Sequence, residues 1–107
     1  MSTVSTHVLD TSLGRPAEGI KVTLERGAEV LATGITNADG RVPNFPDGAA
    51  LKEGVYMLRF VVVEYFARDR RETFYSEITI NFRIGGNEHY HVPLLLSPFG
   101  YSTYRGS

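Results

Sequence analysis

The sequence predicts an all-β fold, an antiparallel β-sandwich of two sheets with seven or eight short strands and one short helix. Three observations carry this. Apolar and polar residues alternate with a period of two along most of the chain. The alternating runs are rich in β-branched and aromatic residues, which suit a pleated, half-buried surface. Turn-forming Gly, Pro, Asn and Asp separate the runs at the spacing of a small sandwich.

The elements follow in order. Ser5 to Leu9 reads as the first strand. Ile20-Lys21-Val22-Thr23-Leu24-Glu25 alternates cleanly, and Val30 to Ile35 forms its hairpin partner across Arg26-Gly27-Ala28-Glu29. Asn37-Ala38-Asp39-Gly40-Arg41-Val42-Pro43 has turn residues throughout and reads as a loop. Val55 to Val62 is a strand by composition. Glu64 to Arg71 breaks the alternation and carries mixed charge, as a short surface helix does; its Arg68, Arg70, Arg71 and Asp69 read as a solvated face. Glu77 to Ile84 alternates again, Gly85-Gly86-Asn87 turns the chain, and His89 to Leu96 returns as a strand. Pro93 within that run removes a ladder donor, so it belongs at an edge, at a bulge, or where its nitrogen faces away from a partner. Ser97-Pro98-Phe99-Gly100 is a break, and Tyr101 to Tyr104 is the last strand.

The whole chain of 107 residues forms one domain, and 42% hydrophobic residues suffice for a core. Eleven basic against twelve acidic side chains give a net charge of −1, which argues against nucleic-acid or anionic-membrane partners. There is no cysteine, hence no disulfide framework, thiolate metal site or cysteine nucleophile. The longest apolar run, Phe60 to Val63, is far short of the ~20 residues of a membrane span. The N-terminus has neither a basic nor an apolar leader segment, so the expected location is cytoplasmic.

Chemistry rests on few residues. His89 and His91 lie two apart on one strand and share a face; His7 is distant in sequence. A histidine titrates near pH 6.5 and is the usual general base at neutral pH, but each of these also fits an ordinary surface position with a plain hydrogen bond. His89-x-His91 with His7 would also fit a three-histidine zinc site with an open fourth position. Arg41 offers a bidentate fork for a carboxylate or enolate-like anion, or is a solvated loop residue. Asp10 and Glu18 have no partner spacing. Spacing alone does not bring His7, Arg41 and His91 together.

Two longer stretches add a resemblance. His7-Val8-Leu9-Asp10, Gly14-Arg15-Pro16-Ala17 and Ile20-Lys21-Val22 resemble the N-terminal signature of the transthyretin-like family. His91-Val92-Pro93-Leu94-Leu95-Leu96-Ser97-Pro98-Phe99-Gly100-Tyr101-Ser102-Thr103-Tyr104-Arg105-Gly106-Ser107 resembles its C-terminal signature, with the Tyr-Arg-Gly-Ser ending of the enzymatic branch. The resemblance implies a transthyretin-like sandwich and a homotetramer, a dimer of dimers, with sites in the channel where dimers meet. It implies hydrolysis of 5-hydroxyisourate to 2-oxo-4-hydroxy-4-carboxy-5-ureidoimidazoline in urate degradation, without metal or organic cofactor. It assigns catalysis to His7, Arg41, His91 and Ser107, and substrate binding to Arg41, Tyr104 and Ser107. His89 is not among those residues. The alternative is a non-catalytic carrier of a small ligand; in that branch threonines replace the equivalents of His91 and Tyr104, whereas this sequence keeps both bulky polar residues. Tyr104 and Ser107 are three apart, so the chain is expected to leave regular extension near Gly106.

Overall fold

The computed structural model describes residues 2–45 and 51–106. Among them the chain forms nine strands and one helix: β1 (Thr3–Asp10), β2 (Arg15–Pro16), β3 (Lys21–Arg26), β4 (Glu29–Ile35), β5 (Arg41–Phe45), β6 (Gly54–Val61), α1 (Val63–Arg68), β7 (Glu77–Ile84), β8 (His89–Ser97) and β9 (Gly100–Thr103). One sheet runs β2-β1-β8-β9, with β5 also paired to β1; the other runs β4-β3-β6-β7. The expected two-sheet sandwich is therefore present. Its period-two runs became strands because each buries alternate side chains: Val4 and Val8 from β1, Val92, Leu94 and Leu96 from β8, Val22 and Leu24 from β3, Leu58 and Phe60 from β6.

One pairing departs from the antiparallel expectation. β1 and β8 run parallel, from Thr3↔His89 to Asp10↔Leu96. Every other strand pair among the described residues is antiparallel. The parallel pair sits at the centre of its sheet and aligns the N-terminal and C-terminal motifs residue by residue.

Three local expectations are corrected. Arg41 is the first residue of β5 and not a loop residue, because Thr6↔Val42 and His7↔Arg41 pair it to β1. The register shifts between Val4 and Thr6, so the extra residue of β5 falls beside Pro43, where a missing amide is tolerated. The helix ends at Arg68 and not Arg71, because Arg70 takes a left-handed φ of 57° and turns Arg71 back toward the core. Arg71 is not solvated: its side chain is 20% exposed and pairs with the fully buried Asp10 at 2.8 Å. Tyr65 Oη donates to the same carboxylate at 2.7 Å, and the amides of Ser12 and Leu13 donate to its other oxygen at 3.1 Å. These bonds hold the Asp10 carboxyl down at about 2, against the opposing effect of burial.

Pro93 sits inside the sheet, opposite His7. Its carbonyl accepts from Thr103 Oγ1 at 2.7 Å, so its nitrogen faces the same side, where the β8–β9 ladder has stopped at Leu94↔Thr103.

Candidate active site

β1 alternates, so Val4, Thr6 and Val8 point into the core while Thr3, Ser5 and His7 occupy the outer face. Paired residues of adjacent strands share a face. Ser5↔His91 and Thr3↔His89 therefore place both β8 histidines beside β1, and His7↔Arg41 places the arginine on the other flank. Three elements far apart along the chain thus bring His7, Arg41 and His91 to one outer sheet face.

Arg41 owes its position to the turn before it. Asn37 Oδ1 accepts from the amides of Asp39 at 2.9 Å and Arg41 at 3.0 Å, and the Gly40 amide donates to the Asn37 carbonyl at 2.8 Å. Gly40 has φ +75°, and a Cβ there would lie 2.4 Å from the Val8 carbonyl oxygen. Only glycine lets the turn come this close to β1.

The electrostatics of the face favour neutral imidazoles. Burial lowers the pKa of His7 below its ordinary value, and the Arg41 charge lowers it further; a backbone hydrogen bond with Asp39 and the Asp39 charge oppose this. His91 is lowered by burial first, then by the charges of Arg41, His7 and His89. A neutral imidazole beside a guanidinium can accept a proton while the cation holds an anion.

His91 is also held from its own strand end. The Gly106 amide donates to the His91 carbonyl at 2.8 Å. A Cβ on Gly106 would stand 2.5 Å from His91 Cδ2, so the ring packs against bare backbone. The chain leaves regular extension after Thr103, earlier than expected, and rejoins β8 through the isolated His91↔Gly106 bridge. Tyr104 lies just past β9 and is 59% exposed. With Thr103 and Arg105 it lines a cleft of about 840 Å³ that includes His91 and residues of β6 and β7. Neither His7 nor Arg41 lines that cleft. Ser107 lies outside the described residues.

Sequence reasoning missed Ser5. Its hydroxyl lies 2.7 Å from His91 Nδ1 and 2.7 Å from His89 Nε2, and His89 Nδ1 lies 2.6 Å from Thr3 Oγ1. The available signal was its parity with His7 on the first strand; the register that completes it is tertiary. These bonds also bear on the zinc reading. Both ring nitrogens of His89 and Nδ1 of His91 are engaged by hydroxyls, and no group of three or more His, Cys, Asp or Glu among the described residues could hold a metal ion.

The fold has counterparts among known proteins. The model of the HIUase/transthyretin family matches residues 4–106. The 5-hydroxyisourate hydrolase of Salmonella typhimurium is 46% identical over 109 residues, covering 97% of this chain and 80% of that protein. The mouse (Mus musculus) 5-hydroxyisourate hydrolase is 41% identical, covering 99% of this chain and 96% of that one. The solved structure of Klebsiella pneumoniae 5-hydroxyisourate hydrolase superposes with a TM-score of 0.93 at 48% identity, covering each chain in full. Sea bream transthyretin, solved with thyroxine, gives 0.88 at 28% identity over 96% of this chain and 93% of that one. With a matching family model across nearly its whole length, relatives at this identity and the same two-sheet topology, the chain belongs to the HIUase/transthyretin family.

Proposed function

We propose that this chain is a hydrolase of 5-hydroxyisourate, acting in purine degradation and yielding 2-oxo-4-hydroxy-4-carboxy-5-ureidoimidazoline. The observation that carries the reading is the meeting of His7, Arg41 and His91 on one sheet face through the β5–β1–β8 registers. Relatives named for this activity span nearly the whole chain.

In the proposed reaction, a water oxygen bonds to a ring lactam carbonyl carbon. One of the two histidines takes the water proton. The tetrahedral oxyanion, or the anionic substrate, lies against the Arg41 guanidinium. The C–N bond then breaks, and a proton passes to the departing nitrogen, so one water is added overall. Tyr104 walls the substrate space and Ser107 completes the site. No metal or organic cofactor takes part.

The site lies on an open sheet face, and a flat ring bound there needs a second wall. The proposed assembly supplies it: a homotetramer, a dimer of dimers, in which such faces meet around a channel. Among the described residues no helix is long and apolar enough to cross a membrane. The proposed location is the cytoplasm, with no nucleic-acid or membrane partner.

The test generates 5-hydroxyisourate in situ with urate oxidase and follows its ultraviolet decay, with a chelator arm. Acceleration by the native protein that survives the chelator and is lost in His91→Ala and Arg41→Ala is the expected result. Decay at the spontaneous rate from folded protein overturns the hydrolase and leaves a carrier of a small ligand. Sedimentation of the same samples checks the tetramer.

A further inference from the structure

The face carries more order around His91 than an isolated catalytic imidazole requires. Ser5 is a hydroxyl only 6% exposed, and it touches two histidine rings at once. A hydroxyl has one proton, so it donates to one ring and accepts from the other. A neutral imidazole also carries one proton, so the four groups Thr3, His89, Ser5 and His91 form a single chain whose members must all point the same way. Nε2 of His91 has no hydrogen-bond partner among the described residues, which leaves it for water or substrate.

We propose that Ser5 and His89 are positioning residues for His91: with Thr3 they form a hydrogen-bonded relay that fixes the ring's orientation and keeps its proton on Nδ1. In this sense His91 Nδ1–H donates to Ser5 Oγ, the Ser5 hydroxyl donates to His89 Nε2, and His89 Nδ1–H donates to Thr3 Oγ1. Nε2 of His91 then presents a lone pair to the open face. When Nε2 takes a proton from water, the Nδ1–H bond to Ser5 stays in place, so the imidazolium forms without reorganising its support. Gly106 closes the opposite side of the ring. The charged and titratable groups that act on His91 are Arg41 from β5, His7 from β1 and His89 from its own strand. All three disfavour its cation, so an oriented acceptor at Nδ1 is what this site otherwise lacks.

The inference rests on the reading of His91 as a catalytic residue, and its test separates the two. Turnover of 5-hydroxyisourate is measured for Ser5→Ala, Ser5→Thr, His89→Ala, the Ser5→Ala/His89→Ala double variant and His91→Ala, with folding checked by circular dichroism. Histidine tautomers are read from 15N chemical shifts. The relay predicts a His91 protonated on Nδ1 at neutral pH in the parent, and loss of that tautomer in Ser5→Ala. It predicts kcat about 10–100-fold lower in Ser5→Ala with KM within about threefold, and recovery in Ser5→Thr. The double variant loses no more than Ser5→Ala alone, since both act through one link. The acid limb of the pH profile moves in Ser5→Ala and stays in Ser5→Thr. A parent His91 protonated on Nε2, a Ser5→Ala kcat within twofold of the parent, or multiplicative losses in the double variant overturns the relay. An inactive His91→Ala beside a fully active Ser5→Ala removes the relay alone. A fully active His91→Ala removes the catalytic reading of His91 and the relay with it.

Discussion

Arg41 acts on the two histidines through its charge. Both have folded-state pKa values below the ordinary value, with the Arg41 charge as the second cause after burial. A lowered pKa means the neutral, proton-accepting form persists as pH falls through the ordinary histidine range. The acid limb of kcat/KM is therefore expected below pH 6.5, the usual histidine value, and Arg41→Ala moves it upward as the neighbouring charge disappears. Arg41→Lys keeps the charge and the limb but loses the planar fork, so kcat falls while the profile holds its place. A pH series on the three proteins checks both outcomes. Gly106 sets a second expectation. With His91 Cδ2 only 2.5 Å from a built Cβ, Gly106→Ala displaces the ring, and a shift of order 1 Å costs about 100-fold in kcat. Turnover and circular dichroism together check that the loss is local.

At the level of elements, the turn from Asn37 to Gly40 is the device that delivers Arg41. Gly40→Ala meets both a positive φ and the Val8 carbonyl at 2.4 Å. It is expected to cost about 1–3 kcal/mol of stability and to lower turnover by moving Arg41, as melting temperature and kcat will show. The same turn marks the boundary of what sequence revealed. Strands with strict alternation were legible, and Glu77–Ile84 has the bounds its pattern implied. Arg41 was misread because Asn, Asp and Gly signal a turn without saying where the next strand begins. The sequence pattern carries the helix end three residues too far because nothing in Arg70 announces a left-handed φ. Of the site, the resemblance named His7, Arg41 and His91, and the registers bring them together. Ser5 stayed hidden, since its meaning depends on a partner strand 86 positions away. Local periodicity fixes which face a side chain takes, and only tertiary register fixes its neighbours.

For the molecule as a whole, the buried Asp10 cluster ties β1 to the segment after α1. Its folded-state pKa, about 2, lies below that of an unfolded aspartate, near 3.9. The ion pair therefore stabilises the fold fully above the unfolded value, and this contribution is lost as pH falls through the folded one. Its size is roughly 2 kcal/mol, appearing as a drop in stability between about pH 5 and pH 2. Asp10→Asn removes that acid dependence and takes from the Arg71 guanidinium the buried one of its two carboxylate partners, leaving Asp69 at 3.0 Å, a cost of about 1–3 kcal/mol. Denaturant titrations at a series of pH values check both statements.

The parallel register of β1 with β8 reaches into how the protein is made. During synthesis β1 is made well before β8, the strand that flanks it at the sheet centre. Until then β1 has only β2 and β5 on one side, and its other edge is open to mispairing. His7 and Arg41 can meet early, but His91 and Gly106 reach them only after β6, β7 and β8 have been made. The candidate face is thus assembled late: a chain broken off before β8 lacks both the central strand and His91, and so has neither the paired sheet centre nor the proposed site.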